Sequence, residues 1–313
     1  MAFYTKNIML DFFYKLVTPY GKASIFDFIL NKAIEKFVNI IYPIYCQFRP
    51  CDIGVSQNKN CPQIIVSLTS FPARINKVWL CIETILRQSN KPDKIILWLA
   101  TSQFENKMKL PKKLLKLQDR GLEIRFCDDL KSYKKIFFAA KEFYKEIIIT
   151  ADDDAFYPED WIKRLLVKSF SHPNCVCCYR AHRIVLDNNK KPIPYKYWDG
   201  LANGITGPSY YLLPTGVGGV LYPPYTFDKI NGNFEIIKTL CYTTDDIWLK
   251  AISLLKKIKV IKVDEYSKEW FGISNTQQHN LTKDNIGNNI NDIALNNLIN
   301  YYNIDFASYE DNQ

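Results

Sequence analysis

The chain predicts an α/β fold: a mixed, largely parallel sheet flanked by helices, with a helical N-terminal extension. Three observations lead there. Short apolar runs at 64–68, 94–99, 122–126 and 147–150 alternate with helical stretches, the pattern of a parallel sheet joined by helices. The run Ile147, Ile148, Ile149, Thr150 is β-branched throughout, so it suits a strand covered on both faces. It then drives directly into three consecutive carboxylates, Asp152, Asp153 and Asp154. Acids so placed repel one another unless something positive joins them. A hard divalent cation shared with a substrate phosphate is one answer. A solvated acidic turn is the other.

The elements follow in order. Residues 1–62 read as a helical extension and linker, and 63–313 as the main domain with a helical tail. In the extension, Phe26, Ile29, Leu30, Ala33, Phe37, Ile40 and Ile41 recur at helical spacing between charged residues. Such a stripe either lies on an anionic membrane surface or packs onto the main domain. Packing is the expectation. After the strand at 64–68 comes the loop Thr69, Ser70, Phe71, Pro72, Ala73, Arg74, then a helix carrying Val78, Trp79, Ile82, Ile85 and Leu86 on one face. Pro111 opens a short helix, where its missing N–H costs nothing. A helix around 136–144 leads to the strand before the triplet. Ligands of such sheets bind at the carboxyl ends of the strands. That edge is expected to gather Ser70, Arg74, Asp128, Asp129 and the triplet.

Composition narrows the partners. With 313 residues, 47% of them hydrophobic, the chain has the material for a substantial core and is not globally disordered. A net charge of +9 fits an anionic partner, but the lysines are dispersed and no nucleic-acid motif is present, so nucleic acid ranks last. Nine cysteines are present, and no pair is read as the Cys-x2-Cys of a zinc ribbon. Cys175, Cys177 and Cys178 lie in an apolar strand-like segment, which reads as buried reduced thiols and a cytosolic compartment. Asp11 interrupts the early apolar stretch, so no secretory signal is expected. No run of 18 apolar residues suggests a membrane span.

Three further motifs bear on chemistry. Thr215, Gly216, Val217, Gly218 and Gly219 form a glycine loop, but Val220, Leu221 and Tyr222 after it cannot open a helix, so it is no dinucleotide fingerprint. It reads as a plain turn or as backbone drawn close to a ligand. Asp245 and Asp246 open an amphipathic helix behind Thr244, an expected N-cap. Helix capping alone would justify the acids; the functional reading makes one of them a general base. His279 reads by default as a surface histidine, and Tyr195, Tyr197 and Trp198 beside Asp199 as packing or as a sugar platform.

The order of strand-end Asp-x-Asp, glycine loop, acidic pair and late histidine resembles the GT-A superfamily of nucleotide-sugar glycosyltransferases. The stretches 67–74 and 132–135 are similar to those in bacterial family-2-like enzymes of capsule and lipopolysaccharide clusters. The resemblance spans roughly residues 63–280. It implies a GT-A, Rossmann-like fold and Mg²⁺ or Mn²⁺ held by Asp152 and Asp154, with His279 as a third ligand. It also implies that Thr69, Arg74, Lys134 and Asp153 lie near the nucleotide, that Asp246 is the base of an inverting reaction, and that Asp245 supports it. The donor it implies is a UDP-sugar, and the acceptor a glycan or lipid-linked oligosaccharide at the inner face of the cytoplasmic membrane. Two other readings stand beside it. A sugar nucleotidyltransferase would want a glycine-rich loop after the first strand, where Thr69 to Arg74 holds no glycine. A non-catalytic membrane-surface scaffold would have no use for acids at separate strand and helix ends.

Overall fold

The computed structural model describes residues 8–19, 21–49, 52–104, 109–228, 234–276 and 289–311. Two helices come first, α1 (Ile8–Leu16) and α2 (Ile25–Phe48). An alternating series follows: β1 (Ile64–Thr69), α3 (Val78–Leu86), β2 (Lys94–Ala100), α4 (Lys112–Leu115), β3 (Leu122–Cys127), α5 (Lys134–Glu142), β4 (Ile147–Ala151) and α6 (Trp161–Ser171). Shorter strands then alternate with helices: β5 (Val176–Cys178), β6 (Ala181–Arg183), β7 (Leu212–Pro214), β8 (Val220–Tyr222), α7 (Phe234–Cys241), α8 (Asp245–Leu255), β9 (Val260–Lys262) and α9 (Ile290–Tyr302).

Seven strands form one mixed sheet in the order β3-β2-β1-β4-β8-β5-β9, as the expected α/β fold requires. β3, β2, β1 and β4 run parallel; β8 is antiparallel to both its neighbours, and β9 is parallel to β5. β6 and β7 form a separate antiparallel ribbon. The chain steps outward from β1 to β3 and then returns to place β4 on the other side of β1. The carboxyl ends of β1 and β4 therefore flank the point where strand order reverses, the customary ligand crevice of such sheets.

Alternation along each strand sends side chains to opposite faces. Ile147, Ile149 and Ala151 join a core with α1, α2, α3 and α6, while Ile148 joins the core built with α5, α7, α8 and α9. The cysteines obey the same rule. Cys175 and Cys178 have the Cys-x2-Cys spacing of metal and redox motifs, yet Cys175 and Cys177 join one core and Cys178 the other. All three are buried, and burial pushes their thiols up, so they are held as inert thiols as expected.

Two local expectations are corrected. The stripe on α2 does not pack on the main domain: Phe26, Ile29, Leu30, Phe37 and Ile40 are exposed, and the buried face is Asn31, Ile34, Val38 and Tyr42. Polar bonds select that face. Asn31 donates to Glu269 at 2.7 Å and Asn39 to the Gly272 carbonyl at 2.8 Å, while Ser274 N–H donates to Asn39 at 2.7 Å. Thr244 does not cap α8 through its side chain; its hydroxyl donates to the Cys241 carbonyl at 3.2 Å. No helix among the described residues is long and apolar enough to cross a membrane.

Candidate functional site

β1 and β4 are in register with Leu68 opposite Ala151, so the next residues of each strand emerge together at the crevice. Ser70 donates to Asp153 at 2.5 Å, and Arg74 reaches Asp153 at 2.7 Å and Asp154 at 2.9 Å. Arg74 Nε also donates to the Thr276 carbonyl at 2.8 Å, tying this loop to the segment after β9. Asp153 is thereby turned inward. Burial pushes its carboxyl up, against the pull of Arg74 and Ser70. The central acid thus braces the turn, while Asp152 on one side of it meets the opposite wall of the crevice.

That wall is assembled by α5, the glycine loop and the start of α8. The buried Ser67 hydroxyl accepts from Trp98 Nε1 at 2.9 Å and donates to the Lys135 carbonyl at 2.5 Å, fixing α5 against β1. Lys135 Nζ then lies 3.2 Å from Asp152 Oδ1 and 3.6 Å from Asp245 Oδ2. Burial works against charge on this lysine, but Asp152, Asp245 and Asp246 outweigh it and hold its pKa well above the ordinary value. Asp245 accepts from Ser132 at 2.9 Å, which orients it toward α5. Asp246 accepts from the Gly216 N–H at 3.3 Å. Its carboxyl is pushed up to about 7, by burial first and the Asp245 charge second, with Lys135 and the Gly216 N–H opposing.

A side chain at Gly216 would crowd this cluster. A Cβ there would come within 2.9 Å of Lys135 Nζ, 3.5 Å of Asp152 Oδ1 and 3.7 Å of Asp246 Oδ1. The loop is pinned on its far side, where Trp161 Nε1 donates to the Gly218 carbonyl at 2.7 Å. Beside it, Thr215 N–H donates to the Arg180 carbonyl at 3.0 Å. The Thr215 hydroxyl and Arg180 Nε are buried with no hydrogen-bond partner among the described residues. Buried polar atoms in that state are completed by ordered water or by a ligand.

The residues named from the sequence fall into three groups. Asp152, Asp245 and Asp246 come together around Lys135 and Gly216. Asp153, Asp154 and Arg74 form the adjoining braced turn. Thr69 and Lys134 are engaged elsewhere: Thr69 donates to the Trp98 carbonyl at 2.8 Å, and Lys134 pairs with Asp129 at 2.7 Å. His279 lies outside the described residues. Lys135 was missed as a site residue. Its signal was present, since a lysine directly after Lys134 projects about 100° further round a helix. Trp198 is buried, with its indole donating to the Ile193 carbonyl at 2.7 Å and its ring 4.8 Å from Tyr195, so these two pack, while Tyr197 is exposed.

A divalent ion fits the donor set in one form only. Among the described residues no three acids, cysteines or histidines gather closely enough to hold a metal by themselves. Asp152 and Asp154 offer hard oxygen donors, each paired with a cation that an ion would displace or share, Lys135 at 3.2 Å and Arg74 at 2.9 Å. Two carboxylates suit Mg²⁺ or Mn²⁺ that completes its shell with substrate phosphates.

No protein-family model and no curated protein sequence matches the chain. Solved structures do align with it. A mannosyltransferase from Pyrobaculum calidifontis, in complex with GDP-Man and Mn²⁺, matches 75% of this chain and 64% of its own, with 14% identity and a TM-score of 0.43. Staphylococcus aureus TarS 1–349 matches 65% of this chain and 59% of its own, with 15% identity and a TM-score of 0.43. A CMP:2-keto-3-deoxy-manno-octonic acid synthetase complexed with CTP matches 64% of this chain and 88% of its own, with 12% identity and a TM-score of 0.39. The likeness is one of fold. The chain spans less than two thirds of the length of the first two structures.

Proposed function

We propose that the chain is a metal-dependent glycosyltransferase. It would move a sugar from a nucleoside-diphosphate donor, UDP-linked, to a hydroxyl of a growing bacterial surface glycan, with inversion at the sugar carbon. The observation that carries this reading is the convergence of Asp152, Lys135, Gly216 and Asp246 in one cluster beside the strand-order reversal. Asp152 and Asp154 would hold Mg²⁺ or Mn²⁺, with His279 as a third ligand. When bound, that ion would neutralise charge on the departing diphosphate.

The chain's own residues supply the rest. Asp246 takes the proton of the acceptor hydroxyl as the acceptor oxygen bonds to the sugar carbon and the bond to the diphosphate breaks. A carboxyl pushed up to about 7 suits a base working near neutral pH. Asp245, tied to Ser132 and Lys135, holds Asp246 in place through the first turn of α8. Lys135 offsets the repulsion among the acids before the donor arrives. Arg74 and Asp153 brace the turn that presents Asp152 and Asp154. Thr215 and Arg180 are left to hydrogen-bond the sugar or the acceptor. Nucleotidyl transfer is the weaker reading, because the turn after β1 is filled by Arg74 and Ser70 bound to Asp153 and holds no glycine.

The test is a panel of UDP-, GDP- and CMP-linked sugars with Mn²⁺, scored for nucleotide release. Asp246→Asn should bind the active nucleotide as wild type does and lose transfer by about 10²–10⁴-fold. Near wild-type transfer by that variant would overturn the base assignment. Release of pyrophosphate from a nucleoside triphosphate would point to nucleotidyl transfer instead.

A further inference from the structure

α2 carries two apolar stripes about 120° apart round its axis, and only one of them is buried on the domain. The inner face, Asn31, Ile34, Val38 and Tyr42, packs on the domain. Round the helix from it, Phe26, Ile29, Leu30, Phe37, Ile40, Ile44 and Phe48 follow one another at helical spacing and are exposed, Phe37 being partly covered by Phe13. Phe26 is 74% exposed, Ile40 67% and Phe48 78%. On the neighbouring α1, Phe12 and Leu16 are exposed as well, and α1 leans on α2 through the Phe13–Phe37 ring pair at 5.4 Å. A contiguous patch of this kind is what marks an interaction surface, in contrast to single exposed apolar residues.

Charge around the patch selects its occupant. The acids of the two helices lie off this stripe: Asp11 accepts from the Glu159 N–H, while Asp27, in the capping box with Ser24, and Glu35, paired with Lys32, meet solvent on other sides of α2. Lys36 lies among the outward residues of the helix and is exposed. Along one flank, a groove between Pro43 of α2 and Trp79 is lined by Lys77, Lys112 and Lys113. An apolar helix face carrying aromatic side chains, with lysines beside it and its acids off the stripe, is the arrangement of helices that lie in the plane of an anionic bilayer.

We propose that the outer face of α2, extended by Phe12 and Leu16 of α1, docks the protein on an anionic phospholipid bilayer. The inner face of the same helix grips the segment beside the acidic triplet. Asn39 bonds Gly272 and Ser274, and Ile273 N–H donates to the Asp154 carbonyl at 2.7 Å. Docking through α2 therefore holds the candidate site at a fixed position relative to the lipid surface.

The experiment is vesicle sedimentation of the full chain with phosphatidylcholine alone and with phosphatidylcholine containing 30% phosphatidylglycerol, alongside sedimentation equilibrium without lipid. Wild type should partition at least tenfold more strongly onto the anionic vesicles. Phe26→Glu/Ile40→Glu should lose at least tenfold of that partitioning while keeping its circular dichroism and its nucleotide affinity, since both side chains are exposed. Lys77→Glu/Lys113→Glu should lose mainly the difference between the two lipids. No binding by wild type, or equal binding by Phe26→Glu/Ile40→Glu, would overturn the proposal. So would a wild-type dimer that this double variant dissociates without change in vesicle binding. Nucleotide affinity, measured in parallel, reports separately on the proposed catalytic function.

Discussion

Lys135 Nζ lies 3.2 Å from Asp152 Oδ1, joining the carboxyl end of β4 to the acidic start of α8. The lysine is the positive partner that three nearby acids require, and it is contributed by a helix seated on β1 through Ser67. Lys135→Met should leave Asp152, Asp245 and Asp246 facing one another. The loss of a largely buried ion pair should lower folding stability by about 2–3 kcal/mol, read by urea denaturation. A midpoint unchanged from wild type would deny Lys135 that balancing role.

Gly216 tests the pocket by volume. The nearest atom to an added Cβ is the flexible end of Lys135, so Gly216→Ala should fold with a stability change of about 1 kcal/mol or less. The methyl would nevertheless occupy space above Asp152 and Asp246. Nucleotide affinity should fall at least about tenfold, equal to 1.4 kcal/mol. Unchanged affinity in calorimetry would place the ligand elsewhere.

Gly219 makes the contrasting case in the same loop. Its φ of +91° disfavours a side chain, and a Cβ would meet Trp161 at 2.6 Å and the Thr150 carbonyl at 3.0 Å. Neither neighbour can swing away, because Trp161 is fully buried and Thr150 is in the central strand. Gly219→Ala should therefore cost about 2 kcal/mol or more of stability. A thermal midpoint equal to wild type would show that the loop is not pinned as described.

The sequence made the crevice legible through its charges but not the direction of its side chains. The β-branched run before Asp152 and the acids at the start of α8 identified both walls. Lys134 and Lys135 were indistinguishable by composition. The bond from Ser67 to the Lys135 carbonyl, distant in sequence, decides which one faces the acids. Asp153 turns inward because Ser70 and Arg74 lie opposite it across β1 and β4, a register visible only in the assembled sheet. On α2 the period was right and the face was wrong. Both faces are apolar, and the polar Asn31 and Asn39, which decide the packing, look like solvent residues until Glu269 and Gly272 are placed beside them.

Lys250 should govern part of the pH dependence of stability. It is buried in α8 with no hydrogen-bond partner for its Nζ among the described residues, and burial lowers its pKa from 10.5 to about 7. Between those values the unfolded chain binds more protons than the folded one, so this residue makes stability rise with pH across that window. Lys250→Met should be more stable than wild type by about 1–4 kcal/mol at pH 7, and the gap should narrow by pH 9.5. A gap that widens with pH, or a less stable variant at pH 7, would contradict the sign.

The most direct measurement is isothermal titration of UDP and GDP, each with and without Mn²⁺, against wild type and Asp152→Ala/Asp154→Ala. Metal-dependent binding of one nucleotide to wild type, lost in the double variant, is the predicted result. Binding that ignores Mn²⁺, or that survives removal of both carboxylates, would contradict a donor site built on the acidic end of β4.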